Sequence, residues 1–327
     1  MAEGVRIASK ACFEDDFGMV TLDHFTKAYG RTIAVNDLSM EIRPGEILGF
    51  IGRNGAGKST TIRFLATLIK PTAGTGSIAG YDVVRQPIAA RRHLGYMPDM
   101  FGDYPGFSVQ GFLDFFAKAY GLSGKKANPR VQEVIEKLGL VNYTRRPVRA
   151  LSRGMKQRLY LARCLLHDPP VLILDEPMNG LDPEARVEFR NLLRQLAASG
   201  KTILLSSHIL GELRDIATTI AIIHRGHLLT FGEVSQVIKA HTGGIRVLVR
   251  FLTPITTFEE AVKALDPRAT LLSADSHEAI LQVQGEEESL TEILRELVMR
   301  GISVTAFHPL EPTLEEFFVR LTQDNGQ

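Results

Sequence analysis

Lys58 and Ser59 stand in the run Gly52-Arg53-Asn54-Gly55-Ala56-Gly57-Lys58-Ser59-Thr60, where three glycines lead into a lysine and two hydroxyls. Glycines let the backbone curl until several N–H groups face one anion, and a helix starting there adds the positive end of its dipole. Lys58 then reaches the β- and γ-phosphates of a nucleotide, Ser59 offers the oxygen that a nucleotide-bound magnesium ion takes, and Thr60 extends the donor row. The flanks suit this chemistry. Ile47-Leu48-Gly49-Phe50-Ile51 is an apolar run ahead of the loop, and Ile62-Arg63-Phe64-Leu65-Ala66 reads as helix after it. The motif predicts Mg-nucleotide binding. Further on, Val171-Leu172-Ile173-Leu174 is apolar without alternation and runs into Asp175-Glu176-Pro177. It reads as a central parallel strand delivering two carboxylates at its carboxyl end, where open α/β sheets bind their ligands.

The elements that must position these residues follow from the patterning. Short β-type runs, Val20 to Leu22, Thr32 to Val35 and Leu38 to Ile42, alternate with turns ahead of the loop and suggest an antiparallel sheet. Helix is expected from Ile62 to Ile69, then a strand from Leu94 to Met97 that ends at Pro98-Asp99. Residues 108–140 read as an all-helical insert: Val109, Phe112, Leu113 and Phe116 form one stripe, and Val131, Val134, Ile135 and Leu138 a second. Ser152 is a good N-cap for a helix whose stripe is Met155, Leu159, Ala162 and Leu166. A helix from Pro183 to Ala198 and a strand from Thr202 to Ser206 follow, with His208 just beyond that strand, repeating strand-helix-strand order.

At 327 residues the chain exceeds the size at which one core usually keeps growing. The pattern changes at Gly243-Gly244. After it Ile245, Val247, Val249 and Phe251 alternate, as do Ala279, Leu281 and Val283, and then Ile302, Val304 and Ala306. Helical stripes of Leu290, Ile293, Leu294 and Leu297, and of Leu314, Phe317, Phe318 and Leu321, accompany them, the latter opened by Thr313 with Glu316 as a capping box. The order suggests a small α+β, ferredoxin-like domain. The expected division is a flexible extension over 1–18, an α/β nucleotide-binding domain over 19–243 with a helical subdomain at about 100–165, and a carboxyl-terminal domain over 245–327.

Composition removes several classes. Lys plus Arg number 38 against 37 Asp plus Glu, a net charge of +1 that argues for no nucleic-acid partner. Cys12 and Cys164 are too few for a disulfide framework or thiolate metal cage. No run approaches the ~18 apolar residues needed to cross a bilayer, and the amino terminus lacks the charged-then-apolar order of a signal peptide. A cytoplasmic chain is expected. His24, His93 and His167 lack ligand spacing, so no metal beyond magnesium is expected.

A phosphate loop with a carboxylate strand leaves kinases, GTPases and recombinases open. The segment between them decides, because Leu151-Ser152-Arg153-Gly154-Met155-Lys156-Gln157-Arg158 resembles the signature loop of the ATP-binding-cassette (ABC) ATPases. In that family's order, Tyr29 resembles the adenine-stacking aromatic, Gly52 to Thr60 the Walker A loop, and Leu172 to Glu176 the Walker B strand. Gly180-Leu181-Asp182 resembles the D-loop and His208 the switch histidine.

The resemblance implies ATP and Mg2+ as cofactors and a P-loop NTPase core. Asp175 and Ser59 would hold magnesium, Glu176, on the opposite pleat face from Asp175, would polarise the attacking water, and His208 would contact the γ-phosphate. Ser152, Arg153, Gly154, Met155 and Asp182 would act on the nucleotide of a second copy, so that ATP joins two cassettes. Two departures stand out. Arg153 and Met155 occupy positions where the commonest pattern has glycine and glutamine, and Asp99 stands where glutamine is usual. Asp99 is expected to take over as a ligand of magnesium or its water.

The stretch Gly95 to Gly102 and the ending Pro312 to Phe318 are similar to bacterial efflux-type cassettes whose membrane subunit is a separate polypeptide. The expectation is the ATP-hydrolysing subunit of an exporter, peripheral on the cytoplasmic face of the membrane and paired as a homodimer. Its helical insert would dock the membrane partner near Asp99 to Tyr104. The alternative is a soluble ABC-type ATPase of DNA repair or translation, which predicts a second cassette, a long coiled-coil insertion or a zinc motif, none visible here. A catalytically idle module would need Glu176 or His208 lost, and both are present.

Overall fold

The computed structural model describes residues 18–310 apart from 103, 123–126, 242–243, 266–267 and 286. The chain divides between Val234 and Ser235 into two compact units, whereas the change of pattern in the sequence comes later, at Gly243-Gly244. Residues 1–17 of the expected extension and the stripe of Leu314, Phe317, Phe318 and Leu321 lie outside the described residues.

The first unit opens with the antiparallel pair β1 (Val20–Tyr29) and β2 (Thr32–Ile42), and continues with β3 (Ile47–Ile51), α1 (Lys58–Leu65), β4 (Ala73–Ile78), β5 (Tyr81–Asp82), α2 (Pro87–Arg92) and β6 (Leu94–Met97). Helices α3 (Val109–Ala119), α4 (Ala127–Lys137) and α5 (Arg153–Leu165) follow, then β7 (Val171–Leu174), α6 (Pro183–Ala198), β8 (Thr202–Ser207), α7 (Leu210–Arg214), β9 (Thr219–His224) and β10 (His227–Glu233). Strands β2-β1-β4-β5 form an antiparallel sheet, and β10-β9-β3-β8-β7-β6 form a second sheet that is parallel from β9 to β6. The expected antiparallel sheet is present, with longer strands than the short runs implied and with β4 and β5 added from the glycine-containing stretch after α1.

β3 lies in the middle of the mixed sheet with all five residues buried, which is why its sequence is apolar without alternation. The Phe25 and Phe64 rings stack at 4.1 Å between centroids, fastening β1 to α1 across the core. α1 begins at Lys58, inside the glycine motif, and stops at Leu65, short of the expected Ile69, because Thr67 takes a left-handed backbone with φ of 61°. The helical insert is present as α3 and α4, and of its two predicted stripes Val109, Phe112 and Leu113 on α3, and Val131, Val134 and Ile135 on α4, are buried. Phe116 is half-buried, its ring 5.9 Å from that of Tyr104 and 5.3 Å from the Arg163 guanidinium carbon.

The second unit holds α8 (Val234–His241), β11 (Ile245–Phe251), α9 (Ile255–Lys263), β12 (Ala269–Ala274), β13 (Glu278–Val283), α10 (Glu287–Met299) and β14 (Val304–Leu310). Its antiparallel sheet runs β12-β13-β11-β14, the βαββαβ order of a ferredoxin-like domain. The unit has its own core, in which Val247, Val249, Phe251, Phe258, Leu281 and Leu297 are buried.

Candidate active site

Residues 52–57 turn out of β3 and α1 begins at Lys58, so the first helical amides face the same cleft as the loop. Gly57 is required on two counts: its φ is 113°, and a β-carbon there would lie 2.7 Å from Ala34 O. The loop is tied back by the Gly226 amide, which donates to Ala56 O at 2.9 Å. α1 has no acidic residue in its first turn, leaving its amino terminus open to an anion.

Asp175 follows β7 directly and is 3% exposed. Its backbone amide donates to Met97 O at 2.8 Å, and Ser206 Oγ donates to its Oδ1 at 2.7 Å. Burial raises its pKa above the usual aspartate value and the nearby charges of Glu176 and Asp99 add to that, while hydrogen bonds from Ser206 and Ser59 work against it. Burial also pushes the Tyr96 phenol up to about 12, with the Asp175 charge contributing. A serine hydroxyl and carboxylates form an all-oxygen donor set suited to a hard divalent cation. Among the described residues no group of three His, Cys, Asp or Glu stands together as a metal cage, so a cation held by Ser59 and Asp175 would need further oxygens from phosphate and water.

Glu176 corrects one expectation. It does not reach its place by pleat alternation, because β7 ends at Leu174 and Glu176 has a left-handed backbone with φ of 49°. Its amide donates to Ser206 Oγ at 2.8 Å, so one buried hydroxyl on β8 holds both acidic residues. This conformation turns the Glu176 carboxylate toward the glycine loop: Oε1 lies 3.4 Å from Lys58 Nζ and Oε2 lies 2.8 Å from His208 Nδ1. Lys58 also donates to Gly52 O at 2.5 Å. A cleft of about 490 Å³ opens here, lined by Lys58, Ser59, Thr60, Asp99, Glu176 and His208 among others, a size suited to a small molecule. The arrangement can bind a polyanion beside a carboxylate.

Residues 35–179 match the ABC transporter family, and residues 232–322 match the C-terminal domain of DrrA1-3-like ATP-binding proteins. The chain is 33% identical over 306 residues to a daunorubicin resistance ATP-binding protein of Streptomyces coeruleorubidus, covering 94% of this chain and 96% of that one. The chain belongs to the ATP-binding subunits of efflux-type ABC transporters. It is also 36% identical over 298 residues to a bacitracin transport ATP-binding protein of Bacillus licheniformis, covering 90% of this chain and 94% of that one. Among solved structures it is similar to an ATP-binding subunit of an ABC transporter, with a TM-score of 0.62 and 30% identity over 68% of this chain and 92% of the other. A dimeric ATP-binding cassette in a post-hydrolysis state bound to ADP and Pi gives a TM-score of 0.60 and 25% identity, covering 66% of this chain and 99% of that one.

The protein is thus an ATP-hydrolysing transporter subunit, and the reading as a soluble repair or translation ATPase is not favoured, because transporter subunits match both units of the chain. In this ATPase the cleft gathers Arg53, Asn54, Gly55, Gly57, Lys58, Ser59, Thr60, Asp99, Glu176 and His208. Gly52 and Ala56 belong to the loop without lining the cleft. Tyr29 does not line it either: at the end of β1, half-exposed, its ring carries the Lys27 ammonium 5.0 Å from its centroid. Ser152, Arg153, Gly154, Met155 and Asp182 also lie outside the cleft, where Ser152 caps α5 by accepting from Met155 N at 3.3 Å and Asp182 caps α6 by accepting from Ala185 N at 2.8 Å.

Three contributors were missed: Ala34 and Asn179 in the wall, and Ser206 behind the carboxylates. Only Ser206 carried a signal, as the first polar side chain ending the apolar run of β8.

Proposed function

We propose that this ATPase binds Mg-ATP in the cleft and works as one of two identical cassettes that drive a separate integral membrane exporter. The observation that carries the site reading is the Glu176 carboxylate held between Lys58 and His208 at the loop. Incoming phosphates would compete for Lys58, which would release Glu176 to accept a proton from a water, while His208, which lines the cleft, would contact the γ-phosphate. Ser59 and Asp175 would be the protein ligands of the metal, and Asp99, which lines the same cleft, would meet a metal-bound water. Magnesium, when bound, neutralises phosphate charge and supplies the countercharge that buried Asp175 lacks.

Ser152 and the first amides of α5, with Asp182, are read as contacts to the nucleotide of the second copy. Their exposure outside the cleft supports this, as does the dimeric cassette among the structural relatives. The membrane partner holds the chain at the cytoplasmic face of the membrane and meets the helical insert. There Tyr104 packs against Phe107, Phe112 and Phe116, while Met100 is 82% and Phe115 50% exposed. The daunorubicin resistance and bacitracin transport roles of its relatives support an amphiphilic antimicrobial as cargo.

The test separates binding from turnover. Lys58→Ala is expected to weaken ATP binding about tenfold or more by the loss of a charge-assisted phosphate contact. Glu176→Gln keeps binding, accumulates an ATP-bound dimer and loses turnover by about 100-fold or more. A Glu176→Gln chain that hydrolyses ATP at the parent rate removes the general-base assignment.

A further inference from the structure

The start of α5 is pressed onto the loop that follows Glu176. A β-carbon at Gly180 would lie 2.6 Å from Arg153 Cζ, 2.7 Å from its Nε and 2.8 Å from its Nη1, so the guanidinium covers the space a side chain there would take, and φ of 69° also favours glycine there. One helical turn on, Gln157 is 2% exposed and donates to Asn179 O at 3.2 Å. Between them Gly154 faces Leu181 and Ala185, to which a β-carbon would make ordinary contacts at 3.4 and 3.6 Å. The far side of the same loop is anchored too. Arg186 donates to Leu181 O at 3.1 Å and pairs with the buried Glu212 at 3.2 Å, and Glu212 accepts from Ser207, the neighbour of His208, at 3.0 Å. The Asn179 amide in turn donates to Glu176 O at 3.1 Å, and Asn179 lines the cleft.

We propose that Arg153 is a positioning residue that ties the exposed start of α5 to the Asn179-Gly180 turn, and through it to Glu176 of the same chain. This rests on the composite-site reading. A second cassette that docks its nucleotide on Ser152 then bears on a rigid unit whose other end carries the water-activating carboxylate, so each chain passes the state of one site to the other. Glycine, the commoner residue at this position, has no side chain to cover the turn. Lysine carries its charge at a point and cannot lie flat on a backbone as a guanidinium does.

The experiment uses the full chain with Arg153→Gln and Arg153→Lys, read by steady-state ATP hydrolysis over an ATP series, by equilibrium binding of a fluorescent ATP analogue, and by thermal midpoint. Measured on the monomer, both variants are expected to bind the analogue as the parent does, because Arg153 does not line the cleft of its own chain, and in the paired cassettes to lose kcat by about fivefold or more with a Hill coefficient approaching unity. Parent-like kcat and cooperativity in Arg153→Gln overturn the proposal. So does rescue by lysine, which would mean that the charge and not the guanidinium contact acts. Should Arg153→Gln fail to fold, the lysine variant, which keeps the aliphatic stem, decides by the same two outcomes. A parent chain whose Glu176→Gln form makes no ATP-dependent dimer removes the composite-site reading instead, while loss of the Arg153 effect with that dimer intact removes only the clamp.

Discussion

Asp175 is buried beside two other carboxylates, so its charged form is disfavoured wherever no cation is bound. Its folded pKa is raised, so the folded state holds the proton more tightly than the unfolded chain. The resulting contribution to stability is complete below the ordinary aspartate value of about 3.9 and is lost as pH rises through the raised one. Asp175→Asn keeps an acceptor for Ser206 and removes the charge. It is expected to be more stable than the parent by about 1 kcal/mol at neutral pH without nucleotide, with the gain shrinking to nothing at acid pH. Thermal midpoints of both proteins over a pH series check this, and hydrolysis by the variant should be lost. Lys58, Ser59, Asp175 and Glu176 were legible in the sequence because their chemistry is written in local spacing, and His208 through its place in the motif order that the chain resembles. Ser206, Asn179 and Ala34 were not, because the fold alone brings them there. The left-handed backbone of Glu176 left no trace either, since glutamate carries no preference for that conformation.

At the scale of elements, amphipathic stripes were the most legible signal. Those of α3 and α4 supplied the buried residues of the insert, the stripe of α5 was right at Leu159 and Ala162 but not at Met155, which is only half-buried, and the span of α6 was read to its ends because Asp182-Pro183 starts a helix unambiguously. β4 was not read, because Ala73 to Ile78 contains two glycines and owes its strand to pairing with β1 rather than to propensity. β12 was missed likewise, an edge strand with one buried residue. The aromatic packing behind α3 leaves Phe115 half-exposed beside Phe107, ring centroids 5.6 Å apart. If that helix meets the membrane partner, Phe115→Asp should leave folding and ATP binding intact and cut retention of the partner in detergent pull-downs by about tenfold, as loss of a buried aromatic anchor does. Undiminished retention would move the docking surface elsewhere.

At the scale of the molecule, two cores separated at Val234/Ser235 allow the second unit to serve association rather than catalysis. We expect a chain ending at residue 244 to bind ATP as the full chain does but to self-associate about tenfold more weakly without nucleotide, the tethering loss expected when a second contact is removed. Sedimentation over a concentration series measures this, and equal association constants would exclude a dimerising role. The two-unit division was legible because motif-bearing and motif-free stretches differ in kind; the strand order of the mixed sheet was not, because β3 takes both its neighbours from far ahead in the chain. That placement has a consequence for how the protein is made. Ile47 pairs with Ile203, about 150 residues later, so a ribosome adding about 5–20 residues per second leaves this fully buried strand without its flanking strands for roughly 8–30 s. For most of that interval the nascent chain carries the glycine loop and its lysine without Asp175 and Glu176, and until residue 208 is made Glu176 lacks the histidine that its carboxylate pairs with in the folded cleft.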